Sequence, residues 1–147
     1  MAPVIRRVSG DDAPALAGLV AEHAGYERSE ARPEVTRLSQ ALSAGRLTAW
    51  MAEADGEPVG YAAVTEDFST WRSEPFLHLD CLFVRERYRG RGLGAALFRQ
   101  AERHARESGV SCLEWQTPSW NADAIRFYER LGARYALKAR FILGRAG

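Results

Sequence analysis

The sequence has almost no excess charge of either sign. Its 147 residues carry 20 Lys and Arg against 19 Asp and Glu, a formal net charge of +1. A general nucleic-acid binder is usually strongly basic, so nucleic acid is not an expected partner and any anion site must be local. Long apolar runs are missing too. None approaches the roughly 20 residues that a membrane helix requires, and the opening "MAPVIRRVSGDD" has no apolar signal core. A cytoplasmic protein with no membrane partner is therefore expected. Cysteine is scarce: Cys81 and Cys112 each lie inside an apolar run, which predicts two reduced, buried thiols rather than a disulfide framework. The three histidines and two cysteines have no metal-ligand spacing, so no metal is expected. Nothing suggests a Ser-His-Asp arrangement, and His23 and His104 read as surface helix residues. Repeats, low-complexity segments and linkers are absent. What remains is the composition of a globular protein, 46% hydrophobic and 27% charged, with chain enough for a single domain over 1–147.

Periodicity places the elements. "PVIRRV" (3–8) reads as a strand, and a helix follows with Ser9 or Asp11 as cap and Leu16, Leu19 and Val20 at helical spacing. Pro33 opens a second helix carrying Val35, Leu38 and Leu42, which Gly45 closes. "LTAWMAEA", "DGEP" and "VGYAAVTED" form a hairpin pattern around Asp55-Gly56. "PFLHLDCLFV" (75–84) reads as a central strand. Simple alternation puts Leu77, Leu79, Cys81 and Phe83 on one face, and Phe76, His78, Asp80, Leu82 and Val84 on the other. Two polar groups on one face of such a strand invite a functional reading. Leu93, Leu97, Ala101 and Ala105 then repeat along a helix that Gly109 ends. "VSCLEWQT" (110–117) reads as a strand, and 121–132 as a helix capped by Asn121 and stopped by Gly132. "ARYALKARFIL" (133–143) reads as a closing strand. Antiparallel strands followed by a strand–helix–strand–helix–strand unit predict one α/β domain with a mixed sheet.

The stretch "RERYRGRGLGAALF" (85–98) concentrates arginine and glycine between a strand and a helix. The first amides of a helix have no internal partner and the helix dipole favours an anion there. Gly90, Gly92 and Gly94 let backbone N–H groups approach a phosphate without an intervening Cβ. Arg89 and Arg91 add charge-assisted hydrogen bonds of roughly 1.5–3 kcal/mol each. The physical reading is a pyrophosphate cradle. Gly90, Gly92 and Ala95 also fit G-x-G-x-x-A with Glu114 downstream, a dinucleotide pattern. Against it, "RERYR" separates the glycines from the strand and the chain is short for a paired Rossmann fold. The lysine of a P-loop is absent. An exposed basic turn without a ligand is the remaining alternative.

"RGRGLG", following the central strand "LDCLFV" and preceding a long helix, resembles the R-x-x-G-x-G acyl-CoA motif of the GCN5-related N-acetyltransferases (GNAT). "WNADAIRFYERLGA" is similar to that family's second cofactor motif. "LVAEHAGYERSE", "FSTWRSEPFLHLDCLFV" and "PSWNADAIRFYERLGA" resemble, in the same order, segments of the diamine (spermidine/spermine-type) and thialysine acetyltransferases. The resemblance covers most of the chain. It implies a GNAT fold, with a mixed central sheet flanked by helices, and acetyl-CoA as co-substrate. Under it, Leu82, Phe83 and Val84 present backbone groups to the pantetheine arm. Arg89, Gly90, Arg91, Gly92, Leu93, Gly94 and Ala95 hold the pyrophosphate, and Asn121 lies beside the pantetheine. Tyr128 is implied near the thioester sulfur as general acid, and Asp80 stands where the diamine enzymes carry a glutamate linked to substrate deprotonation. A homodimer is also implied. Arg85 and Arg87 match no motif position and read as solvated residues.

Elementary chemistry constrains these roles. At pH 7 an alkyl ammonium costs roughly 4–5 kcal/mol to deprotonate, and an ordinary aspartate taking the proton directly faces about 9 kcal/mol. Asp80 is thus expected to orient the ammonium or pass its proton through water, with His78 as a rival base. A phenol protonating a thiolate is uphill by only ~2 kcal/mol, which suits Tyr128. On the acceptor side the resemblance implies a border formed by 22–30 and 66–74, with Tyr26 and Trp71 as aromatic walls and Glu27, His78 and Asp80 as polar groups, suited to a small cationic amine. Cys81 replaces a second acidic residue of the polyamine enzymes, which makes a shorter diamine, a lysine analogue or an amine-bearing antibiotic equal contenders. A protein or peptide N-acetyltransferase and a non-catalytic acyl-CoA sensor are the rival readings.

Overall fold

Strand β1 (Val4–Arg7) is short, and Arg6 ties it to both its neighbours in sequence and in space. Its guanidinium binds Asp12 through two nitrogens, at 2.7 and 2.9 Å, and pairs with Glu53 on β2 (Thr48–Ala54). Asp12 in turn accepts the Ser9 N–H at 2.8 Å. The cap predicted at Ser9 or Asp11 thus forms at Ser9, through a 3-10 turn (Gly10–Asp12) that leads into α1 (Ala13–Tyr26). Helix α2 (Val35–Ser43) starts one residue after Glu34, whose carboxylate accepts from Thr36 N–H and Arg37 N–H. The structure, a computed structural model, describes residues 2–144.

β2 pairs antiparallel with β3 (Glu57–Ser69) across Asp55-Gly56, which have φ of 53° and 79°. Positive φ at both central residues is what a two-residue hairpin with the native strand twist requires. β3 pairs antiparallel with β4 (Glu74–Val84), and β4 pairs parallel with β5 (Leu113–Trp115) after α3 (Leu93–Glu107). The order β1-β2-β3-β4-β5 is the expected mixed sheet. β5 is three residues long where the sequence pattern suggested eight. It meets β4 only at Leu77–Leu79. From Asp80 to Val84, β4 has no strand on that side among the described residues.

One face of the sheet packs on α1 through Val8, Leu16, Leu19, Ala49, Met51, Tyr61, Ala63 and Phe83. Fully burying side chains such as Leu16 and Leu19 stabilises by roughly 1.5–3 kcal/mol each. The other face receives α3, whose buried positions Leu93, Leu97, Phe98, Ala101 and Ala105 include the whole i+4 series read from the sequence. His104 belongs here, edge-on to Trp50 at 5.5 Å, and burial pushes its imidazole down. It is not the surface residue expected.

Simple alternation along β4 fails at one point. Cys81 pairs with Ala63 and Leu79 with Val64, so Asp80 is the extra residue of a β-bulge. Cys81 and Phe83 lie on the α1 face with their partners Ala63 and Tyr61. His78, opposite Thr65, lies on that face as well. Leu77 and Leu79 have crossed to the α3 face, where Leu82 and Val84 also lie. The expected grouping of Leu77, Leu79, Cys81 and Phe83 is therefore wrong, because one inserted residue reverses the phase of everything before it.

The chain divides into two compact units, Met1–Trp115 and Gln116–Gly147. The second contains α4 (Ala122–Arg130), capped by Asn121, whose Oδ1 accepts Ala124 N–H at 3.1 Å. Gly132, with φ of 98°, follows its end. The strand expected over 133–143 does not form. Its alternating pattern supplies propensity, but a strand exists through pairing, and among the described residues of this unit there is no strand to pair with.

Candidate active site

The loop between β4 and α3 behaves as its glycines require. Gly90 and Gly92 have φ of 75° and 80°, and a Cβ built at either meets nothing within 4 Å. Open space therefore lies in front of both backbones. The first helical bond runs from Ala96 N–H to Gly92 O at 3.0 Å, so the amides of Leu93, Gly94 and Ala95 precede the ladder. Such a cradle fits a phosphate.

The arginines around it are held in different ways. Arg89 donates from Nε to Val84 O at 2.7 Å, and its guanidinium lies 4.4 Å above Tyr26 and 5.7 Å from Phe83. It therefore reaches back over the unpaired end of β4. Arg91 lies 5.4 Å from the Tyr88 ring, and Arg87 lies 5.2 Å from that ring and donates to Tyr88 Oη at 3.3 Å. Arg85 forms a bidentate pair with Glu22 of α1 at 2.9 and 2.7 Å. Arg85 is thus engaged, where the sequence suggested a solvated side chain, while Arg87 is exposed as expected. A cleft of about 560 Å³ opens here, lined by Glu22, Tyr26, Phe83, Arg85, Glu86, Arg87 and Arg89. Tyr26, expected as an acceptor wall, faces this arginine side.

The acceptor-side residues are partly gathered. His78 Nε2 and Asp80 Oδ1 are 3.7 Å apart, and the Asp80 side chain is 56% exposed. Cys81 Sγ lies 3.8 Å from Asp80 Oδ2, and burial pushes its thiol up to about 12. That thiol is neutral, which removes it as an acyl-carrying nucleophile. Glu27 is committed to His23, with Oε2 2.8 Å from Nε2. Trp71 is fully exposed in the β3–β4 turn, and nothing brings it to Asp80. Glu114, the acidic residue of the dinucleotide pattern, pairs with Arg72 at 2.7 Å.

Sequence reasoning missed His23 and Tyr61. His23 is only 13% exposed, its ring stacked on Phe83 at 5.1 Å and its Nδ1 2.8 Å from Tyr61 Oη. The i, i+4 spacing of His23 and Glu27 was the available signal. Tyr61 reads as ordinary core from its position in a strand. In the second unit, Tyr128 lies on α4 with its ring edge-on to Phe127 at 5.1 Å, and its carbonyl accepts from Leu131 and Ala133.

Among the described residues, no His, Cys, Asp and Glu are gathered as a metal site, and no helix is long and apolar enough to cross a membrane. The chain is 28% identical over 124 residues to a thialysine N-epsilon-acetyltransferase of Caenorhabditis elegans, covering 83% of this chain and 77% of the relative. It is 34% identical over 110 residues to a blasticidin-S acetyltransferase of Streptomyces morookaense, covering 75% and 77%. In fold it is similar to an aminoglycoside N-acetyltransferase, AAC(6')-Iy, in complex with CoA, with a TM-score of 0.82 at 21% identity over 99% and 96% of the two chains. The Acetyltransferase (GNAT) family profile matches residues 16–133. With that match over β2 to β5, the glycine-arginine loop and α4, the chain belongs to the GNAT family and is an acetyl-CoA-dependent N-acetyltransferase.

Proposed function

We propose that the chain acetylates the primary amine of a compact cationic acceptor of the kind found in amine-bearing antibiotics. The observation that carries this reading is Asp80: one exposed carboxylate, turned out by a bulge beside the unpaired end of β4, with a neutral thiol where a second acid would serve an extended polyamine. A single carboxylate suits one ammonium on a compact molecule. The similarity to blasticidin-S and streptothricin acetyltransferases supports the same class.

Coenzyme A supplies the acetyl thioester and a polyanionic handle. The residues present fit it: the amides from Gly90 to Ala95 and the guanidinium groups of Arg89 and Arg91 receive phosphate, while Leu82 and Phe83 lie on the stretch of β4 beyond its last pair with β5. Asn121 and Tyr128 come to this reading from the family motif alone. Tyr128 Oη then gives its proton to the departing sulfur, about 2 kcal/mol uphill. Asp80 orients the ammonium and passes its proton to water rather than holding it. His78, 3.7 Å from Asp80, is placed to share that proton.

A short diamine or lysine analogue is the second reading, favoured by the length of the match to the thialysine acetyltransferases. Release of CoA thiol from acetyl-CoA separates the two, using blasticidin S, streptothricin, aminoglycosides, thialysine, ornithine and spermidine as acceptors. Turnover confined to the antibiotics supports the first reading, and turnover confined to thialysine and ornithine the second. A preference for spermidine refutes the compact-acceptor argument. In Tyr128→Phe, kcat is expected to fall at least tenfold, and unchanged kcat removes Tyr128 as the acid.

A further inference from the structure

Helix α1 holds the connection between β4 and α3 at two points one helical turn apart. Glu22 binds Arg85 through both carboxylate oxygens, at 2.9 and 2.7 Å. Tyr26, at the i+4 position, carries the Arg89 guanidinium 4.4 Å from its ring centroid. Residues at i and i+4 share one face of a helix, so a single face of α1 meets both arginines. Phe83 closes the other side, its ring centroid 6.4 Å from that of Tyr26 and 5.7 Å from the guanidinium. Tyr26 is also the last residue of α1, where the carbonyl end of the helix dipole favours a cation. It lies outside both stretches that resemble cofactor motifs.

The two arginines are left in different states. Arg85 has its charge opposed by Glu22. Arg89 donates Nε–H to Val84 O at 2.7 Å, and among the described residues no carboxylate pairs with it. Neither the stack on Tyr26 nor the bond to Val84 uses an Nη hydrogen, so that end of the group remains for a phosphate oxygen. An exposed arginine that binds an anion must give up the rotamer freedom of a long side chain. Arg89 is exposed, yet the ring and the carbonyl remove much of that freedom before an anion arrives, which favours binding. The cleft of about 560 Å³ opens against both Tyr26 and Arg89.

We propose that Tyr26 is a positioning residue for the cofactor: its ring, together with Val84 O, presets Arg89 for a phosphate of coenzyme A, on the reading that the Gly90–Ala95 cradle receives those phosphates. The end of α1 thereby contributes to cofactor affinity without touching the cofactor motif in sequence. The contact is made by the ring face, so phenylalanine serves in place of tyrosine and an aliphatic side chain does not.

The experiment reads CoA affinity by calorimetry in wild type, Tyr26→Phe, Tyr26→Leu, Arg89→Gln and the double variant Tyr26→Leu/Arg89→Gln, with urea unfolding as the check on folding. Arg89 15Nε–H is followed by NMR in the free proteins. CoA is expected to bind about three- to fivefold more weakly in Tyr26→Leu, and as in wild type in Tyr26→Phe. Arg89→Gln is expected to lose about tenfold or more, and adding Tyr26→Leu to it nothing further. Hydrogen exchange at Arg89 Nε is expected to be faster in Tyr26→Leu than in wild type or Tyr26→Phe. Unchanged affinity in Tyr26→Leu overturns the assignment, and so does tighter binding, which would make Tyr26 a restraint that holds Arg89 back. A loss shared by Tyr26→Phe, or one that persists beside Arg89→Gln, overturns it as well, because either is an effect of the helix end rather than of the ring on Arg89. If Arg89→Gln binds CoA as wild type does, the phosphate reading beneath the assignment has failed instead. The exchange at Arg89 Nε, measured without ligand, tells the two failures apart.

Discussion

Gly60→Ala tests how β3 and β4 are held together at the end of the sheet assigned to the cofactor. Gly60 pairs with Val84. A Cβ at Gly60 meets Phe83 O at 2.7 Å, Val84 Cγ2 at 3.2 Å and Val84 Cα at 3.3 Å. The nearest of these is backbone and cannot rotate away, so the two strands must part by several tenths of an ångström. Overpacking of this kind costs roughly 1–3 kcal/mol. The removal of glycine's extra chain entropy offsets roughly 0.5–1 kcal/mol of that. The net loss is on the order of 1–2 kcal/mol, which for a chain of this size lowers Tm by roughly 3–6 °C. Urea unfolding with a free m-value reads it directly. Acetyl-CoA titration should show weaker binding as well, since the displaced groups are the Phe83 and Val84 backbone. Stability within about 0.5 kcal/mol of wild type at unchanged m would refute the reasoning, because it would mean that the close approach is relieved without cost.

Gly18 lies exposed within α1 with nothing within 4 Å of its missing Cβ, so Gly18→Ala is expected to stabilise by roughly 0.5–1 kcal/mol in the same urea assay. Gly92→Ala forces an alanine to φ of 80°, at about 1–2 kcal/mol of strain. Acetyl-CoA affinity should fall about tenfold, whereas Gly109→Ala, with φ of 74° beyond the other end of α3, should lose stability and keep affinity. Arg6, chiefly by hydrogen bonding, holds the Asp12 carboxyl well below its usual range. The native value lies below the unfolded one, so this stabilisation is complete above about pH 4 and is lost as pH falls further. Asp12→Asn should therefore be less stable at pH 7 by about 1 kcal/mol or less, given the exposure of Arg6, and should flatten the acid limb of the stability–pH curve.

Much of this protein was legible because local chemistry left few choices. Asp55-Gly56 admits the hairpin, the i+4 series Leu93 to Ala105 admits one buried helix face, and the spacing of Arg89, Gly90, Gly92 and Gly94 points to an anion cradle whatever surrounds it. The cradle glycines are local because φ is local. Three things were not legible for a common reason: they depend on what lies across the sheet. The bulge at Asp80 is a mismatch between β3 and β4, so no pattern within 75–84 reveals it, yet it reverses the faces of Leu77 and Leu79 and brings His78 onto the face of Cys81. His23 and Tyr61 are 38 residues apart, and each looks ordinary alone. The alternation in 133–143 supplied strand propensity without a partner, and propensity without pairing made no strand. The sequence by itself determined the helices, the hairpin and the glycine-rich loop before α3, because those follow from φ preferences and the 3.6-residue period. Only the tertiary structure decided which polar groups meet Asp80, because register, bulges and buried hydrogen bonds are properties of two strands and a helix together.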